Sequence, residues 1–402
     1  MGLLGKDSGM TEKGELYPHH ATAFVQLSRN RTANKKILHN GGTTMKRKYL
    51  AAATLAALGT LASGAYAQTS VTVYGIIDTG VEYVNNANAN KDGLVRLSSG
   101  ATNTSRIGFR GTEDLGGGLK AVFQLENGFK TDTGEFDSAG LLFNRQANVG
   151  LEGSFGKVVL GRSFTTTYDF ILPFDPMGYS AQYSWVTSAG ATGGRKDGMP
   201  TNQPNIIKYQ GKFGDFKLGA TYGFGETAGS TSDSAKYDVG VGYESGPFRI
   251  AATFDRVNGT AASATNSAYD KATTIHLAGN YQLGSNLSLS LGYRNYKKTL
   301  ASNAADQRSD FFWGGGSYKV TPVVTLIGAI YYQNIKNVAS GKDADPIMYS
   351  VRGKYALSKR TDLYLSAAYA KAKNSQLVGL SRDDIAYGSS QTGVIAGIQH
   401  RF

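Results

Sequence analysis

The 402-residue chain contains no cysteine. Disulfide staples, thiolate metal sites and a cysteine nucleophile are therefore excluded together. Apolar residues make up 41%, less than the roughly 45–50% of an ordinary globular domain, yet aromatics reach 11%. That pairing is unusual for a soluble core. Beyond residue 67 no apolar run is long enough for a membrane helix, which needs about 20 residues. Only His276 and His400 remain there of the chain's five histidines. The chain has no Gly-x-Ser-x-Gly, no His-Glu-x-x-His and no phosphate-cradling Gly-x-x-x-x-Gly-Lys-Ser/Thr. Nothing here resembles an enzyme, and no cofactor or metal is implied. Gly314-Gly315-Gly316 looks like a nucleotide loop only in isolation, because strand alternation surrounds it.

What is abundant is glycine, 52 residues, about 13% against an average near 7%. So much glycine argues against helices, each interior Gly costing about 1 kcal/mol relative to Ala. The N-terminal part has its own logic. Met45 to Ala67 reads as a secretory signal peptide, with Lys46-Arg47-Lys48, an apolar stretch Tyr49 to Leu61, and Ala65-Tyr66-Ala67 as the cleavage signal. Residues 1–44 show no periodicity and read as a non-native upstream extension. The first 67 residues hold nine Lys/Arg and three Asp/Glu, which leaves 33 basic against 27 acidic groups and a formal +6. No dense basic stripe survives to bind nucleic acid.

From Gln68 onward the pattern has period two. Tyr237, Val239, Val241 and Tyr243 alternate with polar residues or glycine; so do Leu287, Leu289, Leu291 and Tyr293, while Ile347, Tyr349, Val351, Gly353 and Tyr355 alternate with Met348, Ser350, Arg352 and Lys354. These are strands with one apolar face. Their expected length, about 9–11 residues, suits a tilted strand crossing a bilayer. Aromatics end the apolar faces, as in Phe216/Tyr222 and Tyr349/Tyr355, where girdles at the two interfaces belong. Seven short turns (113–118, 153–156, 211–215, 244–247, 282–286, 319–322, 357–361) alternate with eight long connections (85–104, 128–146, 163–204, 224–236, 257–272, 297–310, 334–346, 372–391). Together they join sixteen strands. The expectation is an all-β chain: one transmembrane antiparallel barrel over 68–402, with short periplasmic turns and long external loops.

Specific residues then resemble a known family. Val71-Thr72-Val73-Tyr74-Gly75-Ile76-Ile77-Asp78, Ser105-Arg106-Ile107-Gly108-Phe109-Arg110-Gly111-Thr112-Glu113-Asp114-Leu115-Gly116, Asn148-Val149-Gly150-Leu151, Gly161-Arg162 and the terminal Phe402 are similar to the trimeric general porins of Gram-negative bacteria, β-proteobacterial type. The resemblance spans the whole of 68–402. It implies an outer-membrane homotrimer in contact with lipid and lipopolysaccharide, passing ions and small hydrophilic solutes by passive diffusion. It also implies a third external loop, here 163–204, folded into the lumen with acidic residues facing a basic wall. On this sequence the basic constriction residues are Arg106, Arg145 and Lys208, with Arg110 and Arg162 nearby. The acidic ones are Asp175, Asp169 and Glu126. Phe402 is the assembly signal. Lys120, Arg249, Arg294, Arg352 and Lys354 are read as background field.

Basic groups outnumber acidic ones in this set, which implies weak to moderate anion preference. A substrate-selective channel is the main alternative; it calls for inward aromatics, for which Tyr331, Tyr364 and Phe174 are candidates. A plugged adhesive barrel would give no conductance. Mass spectrometry of the native protein is expected to find a chain beginning at Gln68; peptides from residues 1–44 would overturn that boundary.

Overall fold

In hydrocarbon, every backbone amide needs a partner within the protein, so a sheet with one apolar face is stable there only when it closes on itself. The computed structural model describes residues 70–187, 198–261, 268–381 and 385–402. The expected signal segment and the extension before it lie outside the described residues. The strands are β1 (Ser70–Val84), β2 (Leu94–Ser99), β3 (Arg106–Gly116), β4 (Leu119–Gly128), β5 (Gln146–Gly153) and β6 (Gly156–Phe164). A short helix α1 (Thr166–Ile171) follows, then β7 (Asn202–Phe213), β8 (Phe216–Gly223), β9 (Lys236–Ser245), β10 (Phe248–Asn258) and β11 (Lys271–Leu283). The series ends with β12 (Leu287–Thr299), β13 (Gln307–Lys319), β14 (Val324–Lys336), β15 (Ile347–Ala356), β16 (Thr361–Lys371) and β17 (Ser390–Arg401).

From β3 onward each strand pairs antiparallel with the next, and β1 pairs with β17 from Ile76↔Arg401 to Val84↔Gly393. The barrel is closed. β2 and β3 are two segments of one stave, because β1 pairs through its upper half with β2 and through its lower half with β3. The count is therefore sixteen. This corrects the sequence expectation in one place: the first long connection, 85–104, contains β2. The cause is Asp78, a fully buried carboxylate on β1. It accepts from the Tyr364 hydroxyl at 2.7 Å, Gln399 Nε2 at 2.7 Å, Asn103 N at 3.0 Å and the Thr102 hydroxyl. The turn 100–105 bends inward to supply these donors and breaks the stave. The other long connections and all seven short turns lie where the alternation places them. At the first of these turns Gly116, Gly117 and Gly118 all have positive φ (85°, 61° and 81°), which an L side chain adopts only with strain.

The two faces of the wall are inverted relative to a soluble protein. Leu291 is 71% exposed and Val95 67%, whereas Arg294 and His276 are completely buried. The exposed apolar parity points outward and the buried polar parity inward. Apart from β2, strands run from eight residues in β5 to fifteen in β1, a wider spread than 9–11. The 13-residue strands β11 to β14 extend past the apolar band, about 25 Å tall in such barrels.

At the seam, Gly75 and Phe402 exchange backbone hydrogen bonds, each 3.1 Å long. The Phe402 ring lies over Gly75, and a Cβ there would overlap the ring and approach Arg106 O to 2.5 Å. The ring can shift but the carbonyl cannot, and overpacking of this kind costs about 1–3 kcal/mol. Gly75→Ala is therefore expected to lower the temperature at which the folded barrel loses its compact gel mobility. Gly328→Ala, where a Cβ meets nothing within 4 Å, should leave that temperature unchanged. Equal midpoints for the two variants would show that the seam tolerates the extra atom.

Candidate functional site

The longest connection, between β6 and β7, is built to bond with the inward parity. Thr165 caps α1, its Oγ1 accepting from Tyr168 N at 3.0 Å, the usual way a first-turn N–H is satisfied. Gly219 and Gly240 are directly paired on β8 and β9, and Phe170 packs into the notch they leave. A Cβ on Gly219 would lie 2.7 Å from the Phe170 ring. Thr167 N donates to Asp238 at 2.7 Å, and the Thr166 hydroxyl bonds with that of Thr221 at 2.8 Å. A single 3-10 turn, Leu172–Phe174, then leads to Asp175.

Asp175 is 5% exposed. It accepts from Tyr179 N (2.6 Å), Met177 N (3.1 Å), Ser184 Oγ (2.7 Å) and Tyr331 Oη (2.7 Å). Burial raises its carboxyl above the ordinary range, while these donors pull it back. Beyond it, Arg352 donates to Met177 O at 3.3 Å and Arg294 to Val186 O at 2.6 Å. Ser350 donates to Tyr183 O at 2.9 Å and Trp313 Nε1 to Phe174 O at 3.0 Å. The Tyr183 hydroxyl reaches Glu82 on β1 at 3.1 Å. The connection is thus bonded to strands from β1 round to β15.

The basic residues gather beside the start of this connection. Glu126 on β4 receives Arg145 Nε at 2.6 Å and the Tyr74 hydroxyl at 2.8 Å, with Arg106 Nε at 3.9 Å. Arg110 lies over the Tyr74 ring at 5.2 Å, and Arg145 over the Phe164 ring at the same distance. Phe164 stacks on Tyr168 at 4.5 Å, which meets Tyr179 at 5.1 Å. Burial raises the Tyr168 hydroxyl above its ordinary pKa, so it stays a neutral donor. Lys208, 4% exposed, pairs with Asp169 and donates to Phe164 O at 2.8 Å. Gln210 adds a bond to the same carboxylate at 2.6 Å. Arg162 donates to Asn144 O at 3.4 Å and Asn202 Oδ1 at 3.3 Å. Arg106, Arg145, Glu126, Tyr168 and Asp169 line one cavity of about 290 Å³.

Most residues singled out from the sequence therefore meet, though in different roles from those expected. Arg145 has the parity of outward Val149 and Leu151, but it precedes the first residue of β5 and so turns to Glu126. Glu126 and Asp169 are each bound to a cation rather than standing opposite one. Asp175 is bonded to Tyr331 on β14 and to the connection itself. Arg294 and Arg352, read as background, hold loop carbonyls, and Asp78, Glu82 and Asp238 were not singled out at all. The signal available for these was a charged residue on the inward parity of its strand. Tyr331, Tyr364 and Phe174 are buried to 0%, 4% and 4% exposure, with the two hydroxyls held by Asp175 and Asp78. They form no aromatic track along open water.

A family model described as Gram-negative porin matches residues 51–375. The outer membrane porin protein 32 of Delftia acidovorans is 34% identical over 375 residues, covering 89% of this chain and 100% of its own. An outer membrane porin protein of Bordetella pertussis is 30% identical with the same coverage. Among solved structures, the anion-selective porin from Comamonas acidovorans superposes with a TM-score of 0.72 at 30% identity, over 83% of this chain and 100% of that one.

Removing the Asp175 carboxylate orphans the Tyr331 and Ser184 hydroxyls, at about 1–3 kcal/mol for each buried group left unpaired. Asp175→Ala should open the 165–201 connection to limited proteolysis while the strands stay protected. A cleavage pattern identical to that of the unaltered protein would show that Asp175 does not hold the connection.

Proposed function

The chain belongs to the Gram-negative porin family, and from that premise we propose how its lumen is narrowed and which ions it favours. It is an outer-membrane channel, passive and not an enzyme. The 165–201 connection is inferred to fold inside the barrel, as the third-loop constriction. What supports this is the span of its bonds to side chains of the inward parity, from Glu82 on β1 to Arg352 on β15. Ions and small hydrophilic solutes then pass the opening left between the connection and the wall of β3 to β7.

The preference is proposed to be for anions, weak to moderate in strength. One observation carries this: Arg106 and Arg145 line the cavity beside α1 with Glu126 and Asp169 as its acidic residues, Lys208 pairs with that Asp169, Arg110 and Arg162 are close by, and Asp175 is engaged elsewhere. Selectivity in water-filled pores follows the charge at the constriction, and low-dielectric walls focus that field. Screening at ~0.1 M salt acts over about 10 Å, so the preference fades as salt rises. The solved relative titled as anion-selective points the same way. Passive diffusion is favoured over a substrate-selective channel because the inward aromatics are buried and engaged. Assembly as a homotrimer is also proposed. The outward face of β1 and β2 is largely aliphatic, with Val81, Val95 and Leu97 at 56%, 67% and 50% exposure and Tyr83 at the external end, a surface suited to a neighbouring subunit.

Arg106→Ser tests the electrostatic claim. Bilayer recordings under a salt gradient should show the reversal potential moving toward that of cations, with larger conductance and trimers unchanged on gels. A reversal potential that does not move would remove Arg106 from the constriction.

A further inference from the structure

On the short-turn side of α1, the wall and the connection enclose a second cavity of about 470 Å³. Asp169 lines both this cavity and the smaller one beside Arg106 and Arg145, so the two adjoin at α1. Pockets that hold small molecules span about 300–1,000 Å³ and combine an apolar lining with a few polar groups. Both parts are present here.

The apolar part comes mainly from the connection. Phe170, Phe174 and the exposed Pro173 line the cavity, and Ala251 on β10 adds to them. The wall carries no side chain at Gly242, where an added Cβ would meet nothing closer than 3.6 Å. The space there is open.

The charged part comes from inward positions near the short turns. Lys157, Lys212, Lys217 and Arg249 stand against Glu152 and Glu244, Asp169 being already held by Lys208. Lys212 and Lys217 are directly opposed across β7 and β8, a like-charge pair of the kind that destabilises a sheet. Glu244 answers one of them, pairing with Lys217 at 2.8 Å. Arg249 donates twice to Asn280 Oδ1, at 2.7 and 3.3 Å. Lys157 is in register with Glu152 without closing an ion pair. Among the described residues, Lys157 and Lys212 have no carboxylate at ion-pair distance.

Uncompensated positive charge beside an apolar surface favours a ligand that complements both. A small inorganic anion satisfies the cations and leaves the apolar side wet; a neutral aromatic does the reverse. We propose that this cavity is a binding subsite for aromatic carboxylates, with the ring against Phe170, Pro173 and Ala251 and the carboxylate toward Lys157 and Lys212. The lysine stems, apolar up to their ammonium groups, extend the surface available to the ring. The proposal rests on reading the 165–201 connection as lying inside the barrel. It goes beyond ion preference, because it separates anions of equal charge by whether they carry a ring.

The test titrates benzoate onto the purified full-length protein in nanodiscs, read by saturation-transfer NMR with empty nanodiscs subtracted. Acetate carries the charge without the ring, and benzyl alcohol the ring without the charge. Burial of half the ring should make benzoate bind about 30-fold more tightly than acetate. An exposed cation contributes up to about a fivefold factor, so Lys157→Gln/Lys212→Gln should weaken benzoate about 20-fold and leave benzyl alcohol unchanged. Lys319→Gln/Lys359→Gln, with the same charge change on distant short turns, should bind benzoate like the unaltered protein. Benzoate no tighter than acetate, or equal loss in both double variants, would overturn the assignment. If the first double variant does not fold, Lys212→Gln alone is expected to weaken benzoate about fivefold, and no change would overturn the assignment. Conductance is recorded separately. A protein that binds benzoate in this pattern yet does not conduct refutes the pore reading and leaves the subsite standing; a conducting pore that does not bind benzoate refutes the subsite alone.

Discussion

The constraint from which this structure follows is that no backbone amide can be left unpaired in hydrocarbon, where each costs several kcal/mol. One consequence is closure: the last strand returns to the first along nine paired positions. A second is that the apolar parity of every stave has to face outward, because lipid rather than a core now covers it. The third is less obvious. The inward parity, being polar, cannot pack on itself, so whatever fills the interior has to supply hydrogen-bonding partners.

In the arrangement proposed above, that role falls to the connection between β6 and β7. Tyr183 and Trp185 are wholly buried, and their polar atoms reach Glu82 and the Gly379 carbonyl. Arg294 is buried with them, its guanidinium 4.6 Å from the Phe311 ring and donating to Val186 O. Hydrogen bonds to charged groups contribute about 1.5–3 kcal/mol each, and a buried charge without them is far more costly. The connection and the wall charges therefore stabilise one another. Gly219 and Gly240 show the steric side of the same arrangement, since any larger residue in either place would meet the ring that anchors α1.

How much of this could be read from the sequence depends on range. Alternation and turn composition are local, and the staves from β3 to β17 stand where period two placed them. β2 was missed because its cause is not local: the Tyr364 that bonds Asp78 lies 286 residues away along the chain. The basic cluster was legible through parity on Arg106 and Lys208, and through family likeness on Arg145, whose parity argued the other way. Asp175 was legible as an acidic residue in the right loop, but not as one satisfied by Tyr331, 156 residues distant. Parity assigns a side chain to a face; it does not say whether water or protein will meet it there.

This distinction governs the electrostatics. A carboxylate that already accepts four hydrogen bonds within a buried cluster adds little to the field in open water, so Asp175 counts for less at the pore than its charge suggests. Glu126 and Asp169 act differently. Each is bonded to a cation, Arg145 or Lys208, and each fixes that cation's position while cancelling part of its charge. Arg110, held by a ring rather than a carboxylate, is exposed and keeps its full charge. At the proposed constriction the field is then a residue left after pairing. Its sign follows from which cations the wall holds with carbonyls, amides or aromatic faces in place of acids.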